Sequence, residues 1–414
     1  MTDKYHYRCI NCGADYAADK PLYLCPVCSS GNQPGKPPKG VLKTIYNYTT
    51  IRNSSSKHLI SELKKDQFLP LLPIRDLSSL PKLKVGDTSL YHFRELAGEK
   101  LEFDLFLKDD SQNPTFSFKD RASAIVSAWA KEHGIDTIIA ASTGNAGSSL
   151  AGVCAAQGQK SVIFVPAAAP VAKLTQIMMY GAQIVPVAGT YDDAFSLSVK
   201  ATELFGFYNR NTAFNPLTIE GKKTVSFEIF SQLGEQIPDR IFIPTGDGVI
   251  LSGVYKGFED LLQLGIIEKM PVIVAVQAEG SKNLVSNLHA DDFLSTPSST
   301  IADSISVDVP ANFYMSADYL WQYVGETMTV SDKEILDASV QLARSTGLFA
   351  EPAAAAAFAG MMKYREAGMM EAGSRNVVLL TGSGLKDLKS MQARIQLPRP
   401  VSPDIESLNA IFGR

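Results

Sequence analysis

Short runs of aliphatic and β-branched residues alternate with longer segments of helical periodicity from about residue 100 onward. Turn residues bound each run, which is typical of strands buried on both faces. Strand–helix–strand repetition produces mostly parallel sheets covered by helices on both sides. The pattern therefore predicts an α/β fold whose ligands bind at the carboxyl ends of strands. We place the strands at residues 137–141, 161–165, 183–187, 240–244, 271–277 and 376–380.

Two of the intervening segments carry apolar stripes at helical spacing, and we expect both stripes to face a core rather than a ligand. The first stripe comprises Val171, Leu174, Ile177 and Met178, and the second comprises Val254, Phe258, Leu261 and Leu262. Residues 350–362 are rich in alanine, and we interpret them as a close-packed helix.

The length of 414 residues exceeds what one hydrophobic core usually holds and suits two sizeable domains with a small appendage. The net charge of −4, from 39 basic and 43 acidic residues, gives no electrostatic reason to expect nucleic acid or a membrane surface as a partner. No apolar run reaches the roughly 18 residues of a membrane span. Since the N-terminus also lacks the apolar core of a signal peptide, we expect a cytoplasmic protein.

Four of the five cysteines lie within the first 28 residues, where Cys9, Cys12, Cys25 and Cys28 form a C-x2-C-x12-C-x2-C pattern. In a reducing compartment this spacing indicates a structural zinc ribbon, whose four protein ligands leave the metal no open position for catalysis. The alternatives are a ribbon that has lost its metal and a redox pair of thiols. Residues 31–40, with three prolines, have the composition of a linker.

Three polar loops next to predicted strands or helices could carry chemistry. The first, at residues 113–121, leads into a predicted helix at 122–130 and places Lys119 at its start. The positive end of the helix dipole and the flanking aromatic residues disfavour the ammonium form, which favours a nucleophilic amine. On spacing alone, a solvated surface lysine is the alternative.

The other two loops lie between a predicted strand and a predicted helix. Residues 140–149 are small and polar, so backbone N–H groups can approach a carboxylate or a phosphate, although ordinary turn chemistry would explain them too. Residues 244–253 are glycine-rich but match neither the dinucleotide fingerprint nor a P-loop. Asp247 is unfavourable beside a phosphate. Either its carboxylate points away and caps the helix, or this loop binds no phosphate.

Taken together, the loops resemble those of fold-type II pyridoxal-phosphate (PLP) enzymes, and most closely those of the threonine synthase family. Residues 113–121 (NPTFSFKDR) resemble the Schiff-base lysine motif, and residues 142–148 (STGNAGS) resemble the Ser-Thr-Gly-Asn loop. The resemblance extends over nearly the whole chain. Further similar strings lie at residues 181–182, 189–194, 215–216, 219–224, 277–280, 351–352 and 381–387.

The resemblance implies a role for each matching residue. Lys119 is expected to hold PLP as a Schiff base and to move protons, Phe118 to pack against the cofactor, and Asn145 to contact the phenolic oxygen. Thr381 is expected to meet the pyridine nitrogen, where a neutral hydroxyl makes the ring a milder electron sink. The cofactor phosphate is expected on backbone N–H groups of Gly246, Asp247, Gly248, Val249 and Ile250. The substrate is expected on Ser117, Ser142, Thr143, Gly144, Asn145 and Ala146.

The implied architecture is a fold-type II PLP enzyme with two three-layer α/β/α domains and the cofactor between them. The N-terminal zinc-ribbon-like segment and linker would span residues 1–40. The large domain would combine residues 41–125 with 226–414, and the small domain would span 126–225. A homodimer is the family expectation.

The sequence departs from the family pattern in four places, one of which is residues 85–90 (VGDTSL), where the family has "E-G-x-T-P-L". Phe116 stands where the family has glycine, Thr218 where many members have arginine ahead of "I-E-G", and Asp247 where asparagine is common. A hydroxyl at position 218 cannot replace a bidentate guanidinium on a phosphate. These changes affect the expectation for the substrate more than the one for the cofactor.

The function we predict is that of threonine synthase, which converts O-phospho-L-homoserine and water into L-threonine and phosphate. A related enzyme with another amino-acid substrate, such as a cysteate synthase or a serine/threonine dehydratase, is the first alternative. A binding or regulatory protein that keeps the fold without the chemistry is the second.

Overall fold

The computed structural model describes residues 4–54, 59–392, 394, 395 and 397–412. The strands are β1 Tyr5–Cys9, β2 Asp15–Ala17, β3 Leu42–Tyr46, β4 Leu90–Leu96, β5 Glu99–Asp109, β6 Thr137–Ala141, β7 Lys160–Pro166, β8 Gln183–Val187, β9 Tyr208–Asn209, β10 Arg240–Pro244, β11 Val272–Ala278, β12 Glu326–Val330 and β13 Arg375–Leu380. The helices are α1 Pro26–Ser29, α2 Tyr48–Ser54, α3 Leu59–Lys65, α4 Lys119–Glu132, α5 Asn145–Gln157, α6 Val171–Met179, α7 Tyr191–Phe205, α8 Leu217–Lys222, α9 Thr224–Gln232, α10 Val249–Gln263, α11 Asn283–Asn287, α12 Phe313–Gln322, α13 Asp332–Thr346, α14 Pro352–Glu366, α15 Leu388–Gln392 and α16 Ile405–Phe412.

The larger sheet has six strands in the order β12-β11-β10-β13-β5-β4 and is parallel except for its edge strand β4. Alternate residues of the central strands enter different cores because successive side chains point to opposite faces. Ile241 and Ile243 of β10 pack on one face with α10, while Phe242 packs on the other face with α14. Helices therefore cover both sides of this sheet.

The smaller sheet is fully parallel, with the order β8-β7-β6-β9. Ile138 and Ala140 of β6 face the core shared with α4 and α5, whereas Ile139 and Ala141 face α7. This second three-layer unit confirms the predicted α/β/α architecture.

A third sheet belongs to the N-terminal segment, where β1 lies between β2 and β3 in antiparallel pairing. Its last strand ends at Tyr46, beyond the predicted end of the segment at residue 40. Tyr23 joins the segment to the smaller sheet: its ring stacks on Phe214 at 4.6 Å, and its hydroxyl accepts a hydrogen bond from Asn209 N. The predicted limits of the two large domains stay predictions.

All six predicted strands are confirmed within one residue at each end. The alanine-rich helix is also confirmed, although it begins at Pro352 and ends at Glu366, and the α10 stripe packs into the core as predicted. The prediction for the α6 stripe was wrong for two of its four residues, since Ile177 and Leu174 pack in a core whereas Val171 and Met178 do not. Ile177 is fully buried against α5, but Val171 is 74% exposed and Met178 is 56% exposed. The reason is that α6 lies at the edge of the smaller unit and packs through one narrow face. No helix of the described chain is both long and apolar enough to cross a membrane.

A buried ion network connects the start of α4 to α9. The Arg121 guanidinium, fully enclosed, donates to Asp110 at 2.6 and 2.9 Å and to Glu228 at 2.5 and 2.8 Å. Lys108 Nζ donates to the same Glu228 carboxylate at 2.6 Å. Burial alone would raise the pKa of Glu228, but Arg121 and Lys108 outweigh it and lower the pKa to about 2. These ion pairs hold β5, the loop that follows it and the start of α4 against α9.

We expect Glu228→Gln to lower the free energy of unfolding by about 3–5 kcal/mol at neutral pH, because it removes the carboxylate that pairs with buried Lys108 and leaves Arg121 with Asp110 alone. The Glu228 pKa is depressed from 4.5 to about 2 on folding, so its contribution is complete above pH 4.5 and disappears as the pH falls through 2. Urea unfolding followed by tryptophan fluorescence measures both effects.

The matched control is Glu371→Gln, which removes the exposed partner of Arg240 and should cost less than about 1 kcal/mol. Equal losses of stability in the two variants would contradict the structural role of the network.

Candidate functional site

The predicted site residues lie where parallel strands end and helices begin. The loop after β6 leads into α5, the loop after β10 leads into α10, and Thr381 directly follows β13. Lys119 is the first residue of α4, which follows β5 after a short loop. The two sheets therefore bring the amino ends of three helices toward one region.

The chain around Lys119 is attached to the end of β13 by backbone hydrogen bonds. Phe118 N donates to Thr381 O at 2.8 Å, and Ser383 N donates to Phe116 O at 3.1 Å. Ser117 also forms a β-bridge with Gly382. These contacts fix the backbone on the N-terminal side of Lys119 next to Thr381.

Lys119 is half-buried, and burial lowers the pKa of its amine. The carboxylates of Asp247 and Glu351 oppose this shift, whereas the nearby Arg210 guanidinium adds to it. A lysine with a lowered pKa has a larger neutral fraction near neutral pH, so the amine is activated as a nucleophile and as a base.

Asn145 and Glu351 form a contact across the site. Asn145 Nδ2 lies 3.0 Å from both carboxylate oxygens of Glu351. Glu351 N is itself bonded to Gly382 O at 3.0 Å, next to the bridge with Ser117. Burial raises the pKa of Glu351, and Asn145 and Lys119 oppose the shift. Asn145 thus reaches the same carboxylate that acts on Lys119.

The loop after β10 presents unpaired backbone N–H groups. In the described part of the chain, the N–H groups of Gly246, Asp247, Gly248 and Ile250 have no hydrogen-bond acceptor. A Cβ atom at Gly248, where φ is +86°, would lie 2.2 Å from Ser316 Oγ, and one at Gly246 would lie 2.8 Å from Ile305 Cα. Glycine is therefore required for this loop to close around an anion.

Two residues that were expected to contact the cofactor, Val249 and Phe118, have other contacts in the structure. Asp247 Oδ1 accepts a hydrogen bond from Val249 N at 3.0 Å, so the carboxylate caps α10 and occupies one predicted phosphate donor. The Phe118 ring is fully buried in the larger core, with the Arg121 guanidinium 5.5 Å from its centroid. Packing of this ring against a cofactor stays a prediction.

Ser117 and Phe116 show how the lysine loop differs from its surroundings. Ser117 Oγ is buried and has no partner among the described residues. Phe116 keeps a left-handed conformation, with φ at +67°, where the family has glycine, and its side chain is 47% exposed. A bulky residue in this conformation is strained, and such strain is concentrated at functional sites.

The loop after β6 has the geometry of a carboxylate cradle. Ser142 Oγ accepts from Gly144 N at 3.2 Å, while the N–H groups of Thr143, Asn145 and Ala146 have no acceptor in the described chain. These groups open α5, where the helix dipole favours an anion.

Residues 82–382 match the family model described as "Pyridoxal-phosphate dependent enzyme". The chain is 34% identical over 411 residues to threonine synthase of Methanocaldococcus jannaschii, with 98% of each chain covered. It is 36% identical over 347 residues to threonine synthase of a Bacillus species, covering 83% of this chain and 95% of that one. The chain belongs to the threonine synthase family of pyridoxal-phosphate-dependent enzymes.

Solved structures support the fold of this threonine synthase family member. Threonine deaminase isoform 2 from Solanum lycopersicum superposes with a TM-score of 0.64 at 21% identity, covering 82% of this chain and 94% of that one. O-ureido-L-serine synthase gives 0.64 at 21% identity, covering 80% and 97%. At these identities the likeness concerns the fold, and it confirms the predicted fold-type II architecture.

Sequence reasoning did not select Arg210, Lys222 or Glu351 as site residues. Glu351 was part of a matching family motif, which was the available signal. Arg210 and Lys222 lie on the segment that contains Thr218, and each is only 1% exposed. Thr218 is fully buried, and its Oγ1 donates to Asn215 O at 2.8 Å within its own turn.

The four N-terminal cysteines form a separate cluster in which all four Sγ atoms lie within 4.8 Å of one another. Cys12 and Cys25 have a Sγ–Sγ distance of 3.8 Å, close to the separation of about 3.8 Å that Zn–S bonds of about 2.3 Å imply in a tetrahedron. The cluster can hold a metal ion with four thiolates.

We expect Gly248→Ala to weaken PLP binding by at least about tenfold, because the new Cβ would collide with Ser316 Oγ and move the N–H groups of the loop. The measurement is a titration of the apoprotein with PLP, followed by the visible absorbance of the bound cofactor. Gly206→Ala is the matched control, since Gly206 also has a positive φ, +68°, but has open space around its Cβ position. Equal affinities in the two variants would show that the loop does not contact the cofactor.

Proposed function

We propose that this chain is a threonine synthase that converts O-phospho-L-homoserine and water into L-threonine and phosphate. The observation that carries the proposal is the position of Lys119. The Asp247 and Glu351 carboxylates both act on its amine, whose pKa is lowered. Asp247 belongs to the loop after β10, and Glu351 is hydrogen-bonded to Asn145 of the loop after β6. The family relation over nearly the full length of the chain supports the same reaction.

The residues present fit PLP. The four backbone N–H groups at residues 246–250 that have no acceptor in the described chain suit a phosphate dianion at a helix start. A side chain at either glycine of this loop would collide with neighbouring residues. The Thr381 hydroxyl has no hydrogen-bond partner among the described residues and suits the pyridine nitrogen. When bound through Lys119, PLP supplies an electron sink for carbanions next to the substrate amine.

The chain's own groups would divide the work as follows. The N–H groups of Thr143, Asn145 and Ala146, which have no acceptor in the described chain, would bind the substrate α-carboxylate, and the Asn145 side chain would orient the cofactor ring. The Lys119 amine would remove protons from Cα and Cβ. It would return a proton to Cα and, once the phosphate ester bond at Cγ has broken, deliver one to Cγ, which becomes the methyl group of threonine. Water then adds at Cβ, which balances the loss of phosphate with the gain of the threonine hydroxyl. Ser117, with its unpaired buried hydroxyl, lies beside Lys119 as a further polar contact.

The experiment that tests the proposal measures phosphate release and threonine formation from O-phospho-L-homoserine by the holoprotein. We expect equal amounts of both products, and we expect Lys119→Ala to lose the visible absorbance of the lysine-bound cofactor and at least about 10³-fold in rate. Borohydride should label Lys119 in the wild type only.

The same assay separates the alternatives. Activity with O-phospho-L-serine and sulfite, or with threonine alone, in the absence of phosphate release from O-phospho-L-homoserine would replace the proposed reaction by a related one. A colourless protein that borohydride does not label in the presence of PLP would overturn the enzymatic function.

We propose further that Cys9, Cys12, Cys25 and Cys28 hold a structural zinc ion. The support is the four-thiolate geometry together with the packing of Cys9 and Cys25 into the core that contains Trp129. Four thiolates complete a tetrahedron, so this ion would have no position open to substrate. Its role is to hold the ribbon, whose Tyr23 contacts the segment before Arg210.

Metal analysis after anaerobic purification should find about one zinc per chain, and Cys12→Ser should lose it. The thermal unfolding midpoint should fall in that variant while the reaction at low temperature continues. Cys154→Ser, which changes the buried cysteine outside the cluster, should keep the metal. A wild-type protein without zinc would leave a ribbon that no longer binds metal.

The remaining assignments are proposals of the same kind. Two domains at residues 41–125 with 226–414 and at residues 126–225 agree with the separation of the two parallel sheets. A homodimer follows from the family resemblance, and a cytoplasmic location agrees with free thiols in a zinc ribbon.

A further inference from the structure

The buried cations of the described chain fall into two groups. Lys108, Arg121, Lys223 and Lys256 each have a carboxylate within ion-pair distance. Arg210 and Lys222 are equally buried, and neither has an ion pair with any described residue. A buried charge without a counter-ion is costly, so an unpaired pair of cations at one place requires an explanation.

Arg210 lies against the first turn of α4. Its Nε donates to Ser123 Oγ at 3.2 Å and its Nη2 donates to Lys119 O at 3.4 Å. The Nη1 group has no acceptor in the part of the chain that the structure describes. Since guanidinium has five N–H donors, more than half of them remain available to a ligand beside Lys119.

Lys222 is the second cation of the same segment. Its Nζ donates to Thr212 Oγ1 at 2.8 Å, and its other two protons have no acceptor among the described residues. Burial lowers the pKa of Lys222, Asp247 opposes the shift, and Lys119 and Arg210 add to it. Lys222 therefore lies within the electrostatic reach of Lys119.

One carboxylate faces both cations without pairing with either. Asp247 acts on Arg210, Lys222 and Lys119, but its Oδ1 is bonded to Val249 N. Asp120 also acts on Arg210, and it is bonded to Thr115. Both carboxylates are thus hydrogen-bonded elsewhere and neither forms an ion pair with Arg210 or Lys222 in the described chain, so the remaining N–H donors of the two side chains are available to an added anion.

Thr218 carries no charge, and its hydroxyl already donates to Asn215 O within its own turn. We propose that Arg210 and Lys222 bind the anionic side-chain group of the amino-acid substrate and so replace the cation missing at position 218. This inference rests on the proposed function for the identity of the anion, a phosphate ester. The pair would determine specificity without taking part in proton transfer.

The cofactor phosphate is the other possible source of the anion. The loop at residues 246–250 already has four free N–H groups for that phosphate. Arg210 instead contacts Lys119 O and acts on Tyr191, whose hydroxyl donates to Ala141 O at 3.3 Å next to the loop after β6. Arg210 thus lies on the substrate side of Lys119.

The test compares two ligands that share a carbon chain and differ in charge, 2-amino-5-phosphonopentanoate and norvaline. The dissociation constant of each is measured from the change in cofactor absorbance of the holoprotein. We expect the wild type to prefer the phosphonate, and Arg210→Met and Lys222→Met each to lower this preference by about 10–100-fold. Arg240→Met, at the opposite end of β10, should keep the preference of the wild type.

Titration of the apoproteins with PLP and with pyridoxal distinguishes the two anions. A loss of affinity for PLP but not for pyridoxal, with the phosphonate preference intact, would assign the cations to the cofactor and overturn the inference. An unchanged preference in both variants would overturn it as well.

If a variant does not fold, binding measurements on the wild type still test the site. Inorganic phosphate should bind together with norvaline and compete with the phosphonate, and failure to do either would contradict the site. The proposed function can fail separately. If O-phospho-L-homoserine does not react but O-phospho-L-serine binds with the same dependence on Arg210 and Lys222, the anion site stands and the reaction changes.

Discussion

The parallel alignment of the strands is the constraint on which the site depends. Every parallel strand ends on the same side of its sheet, and the helix that follows begins there with unpaired N–H groups. The starts of α4, α5 and α10 are therefore brought together by topology. The chain can bind anions there with backbone groups, which is why a net charge of −4 is compatible with several anion sites.

The backbone contacts between the Lys119 loop and the end of β13 convert this topology into a defined reaction centre. Phe118 N and Ser117 hold the lysine next to Thr381, and Glu351 connects the same strand end to Asn145. Paired charges support this arrangement from behind, through Arg121 and its two carboxylates. Arg210 and Lys222, in contrast, have no ion pair with any residue that the structure describes. The buried cation that has carboxylate partners, Arg121, stabilises the fold, whereas we propose that those without partners bind a ligand.

Most of the architecture could be predicted from the sequence because buried parallel strands are continuous apolar runs between turns, a local signal. Cysteine spacing and the motif around Lys119 are local signals as well. The exposed stripe of α6 could not be predicted, because a helical period does not show whether a neighbouring element covers the stripe.

The departures within the site depend on long-range contacts. The Asp247 cap was one of two open interpretations, and the hydrogen bond to Val249 N favours it. Arg210 and Lys222 were missed because the residue type alone shows neither burial nor a missing partner, even for Lys222, which lies within the matching string at residues 219–224. The most direct measurement is a crystal structure of the holoprotein with 2-amino-5-phosphonopentanoate. We predict that the cofactor is joined to Lys119, with its phosphate on residues 246–250 and the phosphonate within hydrogen-bond distance of Arg210 and Lys222. A phosphonate bound elsewhere, or a cofactor phosphate on those two cations, would contradict it.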